Sequence, residues 1–159
     1  ILDGGTTSLQ VVQHLPLDLR ATVVTHSPSV AVALADHLQV EVLMLGGRLF
    51  RHSMVNKNAS VTEAAMKLRA DLYLMGVTGV HADAGLTTGD FEEAAVKRTL
   101  HARAAETVVL ASIDKLGAAS PFGIAALKEL ATLVVPAATP AKLVASLRVA
   151  GAKVVSARP

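Results

Sequence analysis

The sequence predicts an α/β fold, a mostly parallel sheet with helices on both faces. Short Val/Leu-rich runs alternate with longer segments of helical period, which is the pattern of parallel βαβ units. Most of those runs are apolar on both faces, as strands covered from two sides must be. A length of 159 residues with 52% hydrophobic content fits one domain, residues 1–159, and supplies ample apolar surface for a single core.

Taken in order, strands are expected at "ILD" (1–3), "ATVVT" (21–25), "EVLML" (41–45), "DLYLMGV" (71–77), "ETVVLA" (106–111), "TLVV" (132–135) and "AKVVS" (152–156). Helix starts are marked between them. Ser27-Pro28 offers an N-cap followed by proline at the first helical position. Ser60-Val61-Thr62-Glu63 reads as a capping box, and Pro140 opens the last helix in the manner of Pro28. Residues 45–60 form a long polar interruption, of a kind that is usually functional or mobile in compact domains. The first strand has only three residues before its glycine loop, short for a core strand. The natural protein is therefore expected to continue N-terminally.

Composition excludes several classes. Fifteen basic against thirteen acidic residues leave a net charge of +2, too weak a field to argue for nucleic-acid binding by this segment. Four scattered aromatics, Phe50, Tyr73, Phe91 and Phe122, provide no base-stacking platform. Cysteine is absent, which removes disulfides, thiolate nucleophiles and cysteine-ligated zinc. No uncharged stretch reaches membrane-span length and no signal-peptide pattern opens the chain, so no membrane contact and a cytoplasmic location are expected. The six histidines have no metal-ligand spacing and no G-x-S-x-G elbow occurs, so neither a metal, a cofactor nor a catalytic residue is assigned.

In an open parallel sheet, ligands bind beyond the carboxyl ends of the strands, so the residues after each strand form one candidate set. After the first strand come Asp3, Gly4, Gly5, Thr6, Thr7 and Ser8; after the second, Thr25, His26 and Ser27; after the third, Gly46 and Gly47. Thr78 follows the fourth and Lys115 the fifth. Gly4 and Gly5 let backbone N–H groups converge while Thr6, Thr7 and Ser8 set hydroxyls at a helix N-terminus, an arrangement that favours an anion. The same stretch also reads as a plain strand-to-helix turn. In "GLTTGDFEEAAVKR" (85–98), Thr87, Thr88 and Asp90 precede a helix carrying Glu93 and Lys97. A bland account exists here too: Asp90 caps, the glutamates complement the helix dipole, and Glu93 with Lys97 is a surface pair.

In sequence order, "DGGTTS", "VVTHS", "LMLGGRL", "EAAMKLRADLYLMGVTGV", "GLTTGDFEEAAVKR" and "LASIDKLG" resemble the C-terminal effector-binding domain of DeoR-family transcriptional regulators. The likeness covers roughly residues 1–156. It implies a Rossmann-like sensor domain related in fold to ribose-phosphate isomerases and glucosamine-phosphate deaminases. It also implies a phosphorylated sugar or related metabolite as effector, and operator DNA bound through an N-terminal winged helix-turn-helix that this chain does not contain. A repressor and a homo-oligomer are expected. The phosphate is assigned to Gly5, Thr6, Thr7 and Lys97, with Lys115 and Ser27 nearby. Three positions depart from the family pattern: His26 replaces the usual asparagine, Thr78 an aspartate, and Ser112 an aspartate. The competing reading is an isomerase or deaminase on the same scaffold, whose remaining carboxylate candidates are Asp3, Asp90, Glu92, Glu93 and Asp114.

Overall fold

A computed structural model describes residues 1–157. The central sheet runs β2 (Val40–Met44), β1 (Ala21–Thr25), a single bridging residue Leu2, then β5 (Ala70–Met75), β8 (Ala104–Leu110), β10 (Thr132–Pro136) and β11 (Val154–Ala157). Every pairing is parallel. The expected strand at 1–3 is thus reduced to Leu2, which bridges Thr25 on one side and Leu74 on the other.

Helices α1 (Thr6–Gln13) and α2 (Pro28–Ala33) lie over the β1 end and bury Leu2, Val12, Val23, Val30 and Leu34. On the opposite face, α3 (Ala59–Met66), α4 (Phe91–Arg103) and α5 (Ala141–Val149) enclose the larger core around Tyr73, Met75, Leu100, Val109, Leu133 and Leu147. Helices therefore occupy both faces. On the α1–α2 side, however, cover thins beyond Leu74, and Leu72 and Val155 remain 40% and 45% exposed.

Ser27 caps α2, its hydroxyl accepting from Val30 N at 3.5 Å, with Pro28 at the first helical position as expected. Two expected starts shift. The capping box at Ser60 does not form, because Asn58 is the cap of α3: its Oδ1 accepts from Val61 N at 3.3 Å and from the Ser60 hydroxyl at 2.6 Å. The longer Asn58 side chain, two residues upstream, takes the capping role, and Glu63 pairs instead with Lys67 at 3.2 Å. Pro140 is itself the N-cap of α5 rather than its first helical residue.

Two small antiparallel units complete the fold. The interruption at 45–60 contains a hairpin, β3 (Arg48–Phe50) with β4 (Val55–Lys57). A three-stranded sheet joins β6 (Gly79–His81), β7 (Gly85–Thr88) and β9 (Phe122–Ala125). Strands of three or four residues carry too little alternation to announce themselves in sequence. Among the described residues no helix is long and apolar enough to cross a membrane.

Candidate ligand-binding site

At the carboxyl ends of the parallel strands lies a cavity of about 430 Å³. One rim is Gly4, Gly5, Thr6 and Thr7. Gly5, at φ 98°, turns the chain into α1, and no side chain caps that helix. The first N–H groups of a helix have no partner within it. Those of Gly5, Thr6 and Thr7 find no protein acceptor among the described residues.

The turn after β5 adds Gly76, Val77 and Thr78, and the junction of β7 with α4 adds Thr88, Gly89 and Asp90. The hydroxyls of Thr78 and Thr88 lie 3.3 Å apart. α4 contributes Glu93 and Lys97, and the 3-10 turn Ile113–Lys115 contributes Lys115. The far wall is the β3–β4 hairpin, through Phe50, His52 and Ser53. That hairpin is fastened to the start of α4: Arg48 pairs with Glu92 at 2.8 Å, Lys57 pairs with Asp90, and the Ser53 hydroxyl donates to Glu93 at 3.2 Å. Lys57 also sits 3.6 Å above the Phe50 ring, a cation–π contact that rigidifies the wall.

Beneath the cavity a buried charge cluster centres on Asp3, which has no exposed surface. Its Oδ1 accepts from Gly4 N and from His26 Nε2, both at 2.8 Å. Its Oδ2 accepts from Gly76 N at 2.9 Å, from the Tyr73 hydroxyl at 3.1 Å and from the Lys97 ammonium. Lys97 also donates to Gly76 O at 2.9 Å and lies 3.3 Å from Glu93. Burial alone would raise the Asp3 carboxyl, but the Lys97 ammonium and the His26 hydrogen bond outweigh it and hold the group well below the usual carboxylate range. Burial alone would lower Lys97, and Asp3 with Glu93 reverses that, raising it above its ordinary value. Burial and the neighbouring Asp3 raise the Tyr73 phenol.

Glu93 and Lys97 are thus not a surface pair. Both are nearly buried, and the protons of Lys97 are directed at Asp3, Glu93 and Gly76. Lys115, by contrast, lines the cavity with no carboxylate within 4.0 Å among the described residues.

Of the residues expected from sequence, the structure brings Gly4, Gly5, Thr6, Thr7, Thr78, Thr88, Glu93, Lys97 and Lys115 together on the cavity surface, with Asp3 directly beneath. The others lie outside the lining. The Ser8 hydroxyl donates to Gly4 O, and Thr25 Oγ1 accepts from Ser27 N. Ser27 caps α2 and donates to Met54 O, while His26 is fully buried against Asp3. Gly46 is exposed with nothing near it, and Gly47 packs so closely on α3 that a Cβ would come within 2.5 Å of Val61. Thr87 points into the small sheet, donating to Gly79 O and accepting from Ser120 N. Sequence reasoning missed Phe50, His52, Ser53, Gly76, Val77 and Gly89 as lining, and took Asp90 as a cap or a catalytic carboxylate candidate rather than as part of the binding surface. The only signal for the first three was the length of the polar interruption that carries them.

Each carboxylate candidate for catalysis is already engaged or displaced. Asp3 serves five donors, and Asp90 caps Glu93 N at 2.8 Å and binds Lys57. Glu92 is held by Arg48, Glu93 by Lys97 and Ser53, and Asp114 lies outside the cavity. Among the described residues no group of three His, Asp or Glu side chains could hold a metal ion. What the cavity offers is free N–H groups, hydroxyls and one unpaired ammonium, the chemistry of anion and sugar-hydroxyl recognition.

Residues 1–136 match the DeoR C terminal sensor domain family. The chain belongs to that family. This DeoR sensor domain is 33% identical over 134 residues to the HTH-type transcriptional repressor GlcR of Bacillus subtilis, covering 84% of this chain and 51% of that protein. It is 31% identical over 128 residues to the HTH-type transcriptional regulator GlpR of Haloferax volcanii, covering 80% and 50%. A putative aga operon transcriptional repressor of Escherichia coli O157:H7 matches at 26% over 155 residues, covering 98% and 58%. The DeoR sensor domain thus spans about half the length of the curated relatives it matches.

Proposed function

We propose that this sensor domain binds a phosphorylated sugar or polyol without altering it, and that binding changes the affinity of a full-length repressor for operator DNA. The observation that carries the reading is the pairing of free N–H groups at the α1 start with an unpaired Lys115 on the same cavity. The helix N-terminus and the ammonium, lining one cavity, both favour a phosphate there. Thr78 and Thr88 stand ready for ligand hydroxyls. Turnover is not part of the reading, because isomerisation or deamination needs a positioned carboxylate free to move a proton, and the carboxylates around the cavity are committed to cations.

DNA contact is assigned to a region outside residues 1–159, a reading supported by the likeness to helix-turn-helix regulators of which this domain covers only about half. In a cytoplasmic homo-oligomer the effector acts by binding one arrangement of subunits better than another.

The test is thermal denaturation with a panel of sugar and polyol phosphates and their unphosphorylated counterparts. One or a few phosphorylated compounds should raise the midpoint, since a ligand specific to the folded state stabilises it by mass action. Lys115→Ala should then weaken that compound about 10- to 100-fold, the loss of one charge-assisted contact, with little change in the unliganded midpoint. Equal shifts from unphosphorylated sugars, or an unchanged affinity in Lys115→Ala, count against the assignment.

A further inference from the structure

We propose that His26 is a positioning residue held as an imidazolium, a two-sided clasp that ties the floor of the cavity to its hairpin wall. The ring is wholly buried, and each nitrogen faces an acceptor. Nδ1 lies 2.9 Å from Asn56 O and Nε2 lies 2.8 Å from Asp3 Oδ1. A neutral imidazole has one N–H and so can satisfy only one of two acceptors that bring no proton. The Asn56 carbonyl has none to give. Asp3 is the carboxylate partner of the Lys97 ammonium on its other oxygen, which favours its ionised form.

The surrounding groups fit a cation at this position. Among the described residues Asp3 is the only charged side chain hydrogen-bonded to the ring; Lys97 and the Tyr73 hydroxyl reach it through Asp3, and Glu93 through Lys97. From β4 the ring's hydrogen-bond partner is a backbone carbonyl, and the Lys57 ammonium is turned to Asp90 and Glu92. Two buried carboxylates, Asp3 and Glu93, are then balanced by Lys97 and the ring. A neutral ring would leave this group of two carboxylates and one ammonium with one negative charge in excess next to the fully buried Asp3.

The clasp also has a second strand, for Asn56 N donates back to His26 O at 2.7 Å. Asn56 is central in β4, which pairs with the β3 strand leading to Phe50, His52 and Ser53. His26 therefore fixes the distance between that wall and the Gly4–Gly76 floor that Asp3 organises. An asparagine here would carry both its N–H donors on one nitrogen and so could not donate from two opposite ends as the ring does.

The decisive measurement uses the whole unliganded chain with ¹⁵N-labelled histidine. The His26 ring at neutral pH is expected to show two protonated nitrogens, and one nitrogen with the shift of an unprotonated lone pair overturns the proposal. In parallel, hydrogen exchange of amides 48–57 should be at least tenfold faster in His26→Asn while β5 and β8 keep their protection. Unchanged hairpin exchange in a folded variant also overturns it. If His26→Asn does not fold, the wild-type ring spectrum alone decides. None of these readouts needs an effector, so the phosphate reading can fail while the clasp stands.

Discussion

Asp3→Ala should lose about 3–5 kcal/mol of folding stability, the size seen when one partner of a buried ion pair is removed. The aspartate is fully buried and takes hydrogen bonds from His26, Gly4, Gly76, Tyr73 and Lys97. Alanine leaves the Lys97 ammonium with only Glu93 and a carbonyl, and strands a histidine nitrogen and a phenol without an acceptor. Against the roughly 5–15 kcal/mol of a typical domain, that is a large fraction. Denaturant titration reads it directly, and a loss below about 1 kcal/mol would show that the cluster relaxes or hydrates at little cost. The same residue sets a pH dependence. Its carboxyl is depressed in the folded state, so its stabilisation is complete above the ordinary carboxylate value of about 4 and is lost as pH falls below that. Lys97 is raised, so its share is complete below about 10 and is lost as pH climbs past that value. Thermal midpoints should therefore decline towards both pH extremes, and Asp3→Asn should flatten the acid limb.

Gly85→Ala should destabilise by about 2–4 kcal/mol through a different mechanism, strained backbone plus a collision that no rotamer relieves. Gly85 has φ 70°, and a Cβ there would lie 2.4 Å from Ala125 O and 3.2 Å from Ala126 Cα. Both are backbone atoms at the end of β9 and just beyond it, so the small sheet must part to admit the methyl. β7 delivers Thr88 to the cavity, and ligand affinity should fall with stability. Gly5→Ala separates the two effects: φ is 98° and ψ 171°, but nothing lies within 4 Å of the new Cβ, so only the backbone strain of about 1–3 kcal/mol remains. A circular dichroism melt of both variants tests the contrast, and a milder Gly85 variant than Gly5 variant would refute it.

The parallel sheet was legible because runs such as "ATVVT" and "ETVVLA" must be apolar on two faces, a pattern that only covered strands carry. The cavity rim was legible at Gly4 to Thr7, Thr78 and Lys115, since the fold class alone says that strand ends hold ligands. The hairpin wall was not. Phe50, His52 and Ser53 belong to strands of three residues and the turn between them, and their place over the cavity depends on ion pairs to α4 that are tens of residues away. Lys97 was found but misjudged in character. An i, i+4 glutamate–lysine spacing looks the same on a wet helix face and a dry one, and only tertiary structure put Asp3 against it.

Asp3 and Lys97 stand 94 residues apart, and Asp3 is 70 residues from Tyr73. No local stretch of chain can assemble their cluster. Loop closure on that scale comes late and slowly, after the nearer contacts of α1 with α2 and α3 with α4. Recovery of ligand binding during refolding should then follow the slowest, global phase with a single rate constant, and a chain cut anywhere between Asp3 and Lys97 should regain no site until its pieces rejoin.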